Sequence, residues 1–118
     1  MSTMSIAEQA SKALSLALEE PHTATALAES AREMAAAAGL HAEEAVALRA
    51  LGLAARALHE ITAAEAFLGR AVHAAARAGE ADLEAECRVT LASVLAFAGE
   101  SERALATLDE ASPGPRVA

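Results

Sequence analysis

Along almost the whole chain, apolar residues return at steps of three and four positions, and no stretch alternates apolar with polar at a step of two. That rhythm predicts helices and no strands. Local punctuation divides it into six. The first runs from about Ser5 to Glu19 and opens with Ser5-Ile6-Ala7-Glu8, a hydroxyl and a carboxylate spaced to form a capping box. Pro21 begins the second, because proline fits a first helical turn, and Gly39 ends it as a left-handed C-cap. The third covers about Ala42 to Leu58. Thr62-Ala63-Ala64-Glu65 reads as another capping box and starts the fourth, which ends at Gly79. The fifth spans about Ala81 to Ala98 and closes at Gly99. The sixth starts near Ser101 and must stop by Ser112, since Pro113-Gly114-Pro115 cannot continue a helix.

Connections of three or four residues make consecutive helices antiparallel neighbours, so the six pair into three hairpins. The hairpins echo one another. Displaced by 40 positions (79 − 39), Gly39 falls on Gly79, Ala31 on Ala71, Glu44-Ala45 on Glu84-Ala85, Leu51 on Leu91, Ala64 on Ala104 and Leu68 on Leu108. A fixed spacing of this size marks stacked helical hairpins, which bind partners more often than they catalyse reactions. The units span about 5–39, 42–79 and 82–112, giving a single domain over 1–112 and a Pro/Gly-containing tail over 113–118. The last helix is the shortest, and Leu105 and Leu108 on its outer face have no following helix to cover them. Arrays of this kind normally end in a polar element.

Composition sharpens this picture. Close to a third of the residues are alanine and only Phe67 and Phe97 are aromatic, so helices must close over small faces with leucine as filler. The net charge of −8, with Lys and Arg dispersed among more numerous Glu, argues against a nucleic-acid partner. Val89 to Gly99, the longest uncharged stretch late in the chain, is too short to span a bilayer, so no membrane role is expected. Met1 to Ser5 lacks the basic and apolar parts of a signal peptide, and the lone Cys87 cannot form an internal disulfide; both fit a cytoplasmic location.

Leu48-Arg49-Ala50-Leu51-Gly52 and Ala64-Glu65-Ala66-Phe67-Leu68-Gly69-Arg70-Ala71 resemble the two helices of a tetratricopeptide (TPR) repeat, and Leu91-Ala92 with Ala104, Leu108 and Ala111 keep part of that pattern. The first unit retains only Ala24 and Ala31. The spacing exceeds the family unit of about 34 residues, and Ala or Leu replaces most of its aromatics, so the chain is TPR-like. The resemblance implies an all-α, right-handed superhelical stack of three antiparallel hairpins, with the first helix of each lining a concave groove. The alanine-rich, Arg-over-Lys texture also resembles helical segments that precede CHAT-type peptidase domains in high-GC bacteria.

Carried over position by position, that groove comprises Val46, Arg49, Leu53 and Arg56 in the middle unit. The third unit supplies Glu86, Val89, Ser93, Ala96 and Phe97, and the first Ile6, Gln9, Ala13 and Leu16. The candidate partner-binding set is therefore Arg49, Leu53, Arg56, Val89, Ser93 and Phe97. Arg49 and Arg56 stand two helical turns apart, so both guanidinium forks point one way and could clamp a carboxylate or acidic peptide. The competing reading is a solvated face with local pairs such as Arg56 with Glu60. Leu53 stands where the family's carboxylate clamp needs an amide. The four histidines, His22, His41, His59 and His73, have no metal-binding spacing and read as surface or capping residues. Cys87 reads as a semi-buried packing residue, Glu84–Arg88 as an i,i+4 pair, and Gly52 and Gly69 as sites of close helix approach. No residue set composes a catalytic mechanism, and no cofactor or metal is implied. The expected function is a non-enzymatic scaffold that holds a protein or peptide segment. The alternatives are a module that self-associates into a homo-oligomer through its uncapped C-terminal hairpin, and the regulatory segment of a larger protein such as a CHAT-type peptidase.

Overall fold

The computed structural model describes residues 4–111, and all regular structure among them is helical. Six helices follow in order: α1 (Ile6–Leu16), α2 (Pro21–Ala38), α3 (His41–Ala57), α4 (Ile61–Ala78), α5 (Ala81–Phe97) and α6 (Ser101–Ala111). The starts of α2, α4 and α6 lie 40 residues apart (61 − 21 and 101 − 61), as do those of α3 and α5 (81 − 41). The Pro113–Pro115 stop and the tail fall outside the described residues.

Local chemistry explains where the helices begin and end. Ser5 caps α1 as expected: its hydroxyl accepts from the Glu8 N–H at 3.1 Å, and its own N–H donates to the Glu8 carboxylate at 3.0 Å. Those bonds, the backbone one first, hold the Glu8 carboxyl below its ordinary range. Helix α1 stops at Leu16, short of the expected Glu19. There the Ala17 N–H bonds the Leu14 carbonyl at 3.4 Å and the last turn tightens; Pro21 acts only on Glu20, which sits at φ −130°, ψ 64° outside the helical region. Gly39, Gly79 and Gly99 end α2, α4 and α5 with φ of 70°, 70° and 83°. After α3 the same left-handed turn is made by His59 at φ 62°, forty residues before Gly99 (99 − 59). The Thr62 capping box does not form. Helix α4 begins one residue earlier, with Glu60 at its N-cap, no side-chain cap and Thr62 already inside the helix; Glu65 reaches Arg103 of α6 instead.

Each helix packs on its neighbours in sequence, and α3 also packs on both α1 and α5, whereas α2, α4 and α6 do not pack on one another. Buried clusters fix the directions. Ala10, Ala31 and Ala47 meet in one, and Ala17, Ala24 and Ala54 in another, so α1 and α3 run together and α2 runs against them. In the next hairpin Ala55, Ala64, Leu68 and Val94 meet near the ends of α3 and α5 and the start of α4, which repeats the arrangement. The molecule is a slab of 53 × 31 × 19 Å, two helices thick.

The first hairpin closes almost entirely over alanine: Ala10, Ala13, Ala24, Ala28, Ala31 and Ala35 are all buried. The largest fully buried side chains, Leu48, Leu51, Leu68, Leu95, Val94 and Cys87, belong to α3, α4 and α5. Apolar stabilisation therefore concentrates in the middle of the slab. Gly52 is essential to that packing. A Cβ there would lie 2.5 Å from Cγ of Leu68, which is fully buried. Gly69 does not share the role, since nothing lies within 4 Å of a Cβ at that exposed position. Among the described residues no helix is long and apolar enough to cross a membrane.

Candidate functional site

Helix α5 lies along the side of α3 from which Arg49 and Arg56 project, and this decides what the two arginines do. Arg49 Nε donates to Thr90 Oγ1 at 2.9 Å, and its Nη1 stands 3.6 Å from the Glu86 carboxylate. Thr90, the one buried polar residue among the described residues, donates its hydroxyl hydrogen bond to the Glu86 carbonyl at 3.0 Å. Arg56 rests over the Phe97 ring, 5.2 Å from its centroid. Both guanidiniums thus point one way, as their spacing requires, but they hold α5 against α3 and do not form a free anion clamp. Arg56 makes no ion pair with Glu60 among the described residues.

The other expected groove residues divide into two sets. Leu53 is half-buried beside Leu16 against the Ala17–Ala24–Ala54 cluster. Phe97 stays 56% exposed under Arg56. Val89 and Ser93 turn away from this seam toward α6, where they line a separate cavity with Ala92 and Ala96. Ala13 is fully buried and Ile6 packs against the Ala10–Ala31–Ala47 cluster, so neither presents a ligand surface.

A groove of about 350 Å³ crosses the beginnings of the odd-numbered helices. Its apolar part comes from Ala7 and Ala10 of α1, Ala42 and Val46 of α3 and Leu83 of α5, and Glu43, Glu80, Asp82 and Glu86 make it acidic. Most of these residues escaped the sequence reading. The available signal was the spacing of Ala42, Val46 and Arg49, which continues the Arg49–Arg56 stripe back to the helix start. On the outer side of α4, Arg70, His73 and Arg77 line a shallow depression of about 590 Å³ that Glu44 and Glu65 also line, so its charge is mixed.

Cys87 is fully buried, deeper than its sequence position suggested. Burial pushes its thiol from an ordinary 9.0 to about 11, opposed by the Arg49 charge and reinforced by Glu86 and Glu84. Such a thiol stays protonated and unreactive near neutrality. Arg88 forms the expected pair with Glu84 at 2.9 Å and also reaches Glu110 at 2.7 Å, tying α5 to α6. His41 Nδ1 is buried without a hydrogen bond, 3.6 Å from Glu44. Among the described residues no three His, Cys, Asp or Glu side chains are placed to hold a metal ion. Compared with known proteins, the chain matches no protein-family model, no curated protein and no solved structure.

Proposed function

We propose that the chain is a TPR-like scaffold whose α1–α3–α5 face holds a segment of another protein. The observation that carries this reading is the groove shared by the starts of all three helices, with its apolar floor and acidic rim. The packing supports it: α3 packs on both α1 and α5, whereas among the described residues α4 and α6 meet only through the Glu65–Arg103 ion pair, as expected of a stack with an odd-numbered inner layer. A segment laid across that inner face meets three helices held rigid by their neighbours. The rim charges select a basic segment with small apolar residues, rather than the acidic peptide that two free arginines would attract.

The test is a pull-down comparing the wild type with a Glu43→Lys/Asp82→Lys variant, at low and high salt. Both residues line the groove, and among the described residues neither takes part in an ion pair, so helix content should not change. Partners captured through basic segments should be lost by the variant and weakened by salt. An identical, salt-insensitive set of partners from both proteins would remove the groove assignment.

A further inference from the structure

The far end of the stack, where α5 and α6 lie side by side, carries a second surface. An open cavity of about 430 Å³ is lined there by Val89, Ala92 and Ala96 of α5 and by Ala104, Leu105 and Leu108 of α6, with no charged side chain. Val89 is 52% exposed, Leu105 64% and Leu108 40%. The chain holds an internal template for this surface. Forty residues earlier the same positions are Arg49, Gly52, Arg56, Ala64, Glu65 and Leu68, on the hairpin against which α5 packs. In that covered copy the polar positions are engaged: Arg49 with Thr90, Arg56 with Phe97 and Glu65 with Arg103. In the uncovered copy Val89, Ala96 and Leu105 replace all three. Solvent would favour the reverse, so this face has the composition of one that is buried against a partner.

The opposite end of the slab shows which partner fits. At α1, Ala10, Ala13 and the C-cap Ala17 face the other helices, while Ser5, Glu8, Lys12 and Ser15 form an exposed polar stripe on the far side, with Leu18 exposed just past the helix end. That largely polar end matches the apolar face of another copy poorly, which disfavours head-to-tail stacking. The α5/α6 face, in contrast, complements itself. Leu105 and Leu108 stand out as a ridge, while Ala92 and Ala96 leave a channel of small residues beside it. We infer that two copies of this chain associate through this face, each copy's leucine ridge lying in the other's alanine channel about a two-fold axis. A face one α5 in length, about 25 Å, and two helices wide lies at the small end of specific interfaces.

Sedimentation equilibrium from micromolar to near-millimolar concentration tests this. The wild type should pass from monomer to dimer and stop there. Ala96→Arg, and separately Leu105→Glu/Leu108→Glu, should remain monomeric with unchanged far-ultraviolet dichroism, while Lys12→Glu at the polar end should dimerise like the wild type. A wild type that stays monomeric throughout overturns the inference. So does a mass that grows past the dimer, or a dimer that survives both end-face variants.

Discussion

Leu68 and Leu108 occupy the same place in successive hairpins, forty residues apart, yet one is fully buried and the other 40% exposed. Neither residue type nor local helix accounts for the difference. Helix α5 packs on the α3/α4 hairpin, whereas among the described residues no helix packs on the outer side of α5/α6. In a stack, burial is conferred by the next element, so one local sequence becomes core in one unit and surface in another. The same comparison explains Gly52 and Ala92. Where Leu68 is driven inward only glycine leaves room, and where Leu108 stays out an alanine is accommodated.

The largest effect that sharpens this contrast is a pair of truncations. Leu68→Ala opens a cavity among Ala55, Ala64 and Val94 and should cost about 2–5 kcal/mol. Leu108→Ala removes atoms already in contact with solvent and should cost about 0.5 kcal/mol or less. Urea unfolding in dilute solution, where self-association is negligible, measures both. Equal losses would mean that the two positions share one environment.

Much of this fold was legible in the sequence, because its cues are local. The Ser5–Glu8 box, Pro21 and the glycines at 39, 79 and 99 act within one helical turn, and each is found in the expected role. Two boundaries slipped: α1 ends at Leu16, where the Ala17 N–H bonds the Leu14 carbonyl, and the N-cap position expected of Thr62 falls to Glu60. The site was harder. Periodicity shows that Arg49 and Arg56 share a side of α3 but not what lies opposite, and that depends on α5, more than thirty residues away in sequence (90 − 49 = 41 at the Arg49–Thr90 bond). Similarly, Val89, Ser93 and Phe97 look like one stripe, until the position of α6 assigns the first two to the end face and leaves Phe97 with Arg56.

Cys87 tests how firmly α5 covers its seat. Its thiol lies in the cluster shared with Ala45, Leu48 and Ala75, and it ionises only near 11 when folded, against 9.0 ordinarily. Between those values the unfolded chain gives up the proton while the folded chain keeps it. The folded state then binds more protons, and stability falls as pH rises through the window, by at most about 1.4 kcal/mol per pH unit. The window is clean, since the chain has no tyrosine and Lys12 is its one lysine. Urea unfolding below pH 9 and again near pH 11 should show this loss, and Cys87→Ala should flatten it. At neutral pH, alkylation of Cys87 should proceed only as fast as α5 lifts away. Rapid alkylation of the folded protein would show that the covered seat is nearly as open as the end face.

The smallest effects come from two glycines on one hairpin and should have opposite signs. Both lie inside helices, where alanine is intrinsically better by about 1 kcal/mol. At Gly69 the added methyl meets nothing, so Gly69→Ala should stabilise by most of that amount. At Gly52 the methyl would sit 2.5 Å from Leu68 Cγ, the branch point of a fully buried side chain and not a mobile tip. Helices α3 and α4 must then separate or Leu68 must leave its rotamer, a strain of about 1–3 kcal/mol that outweighs the propensity gain. Thermal midpoints of the two single variants should therefore move in opposite directions from the wild type. A rise in both would show that α3 and α4 have slack at their crossing. Leu68 would then not be locked in place by α5, and its difference from Leu108 would lie in exposure alone.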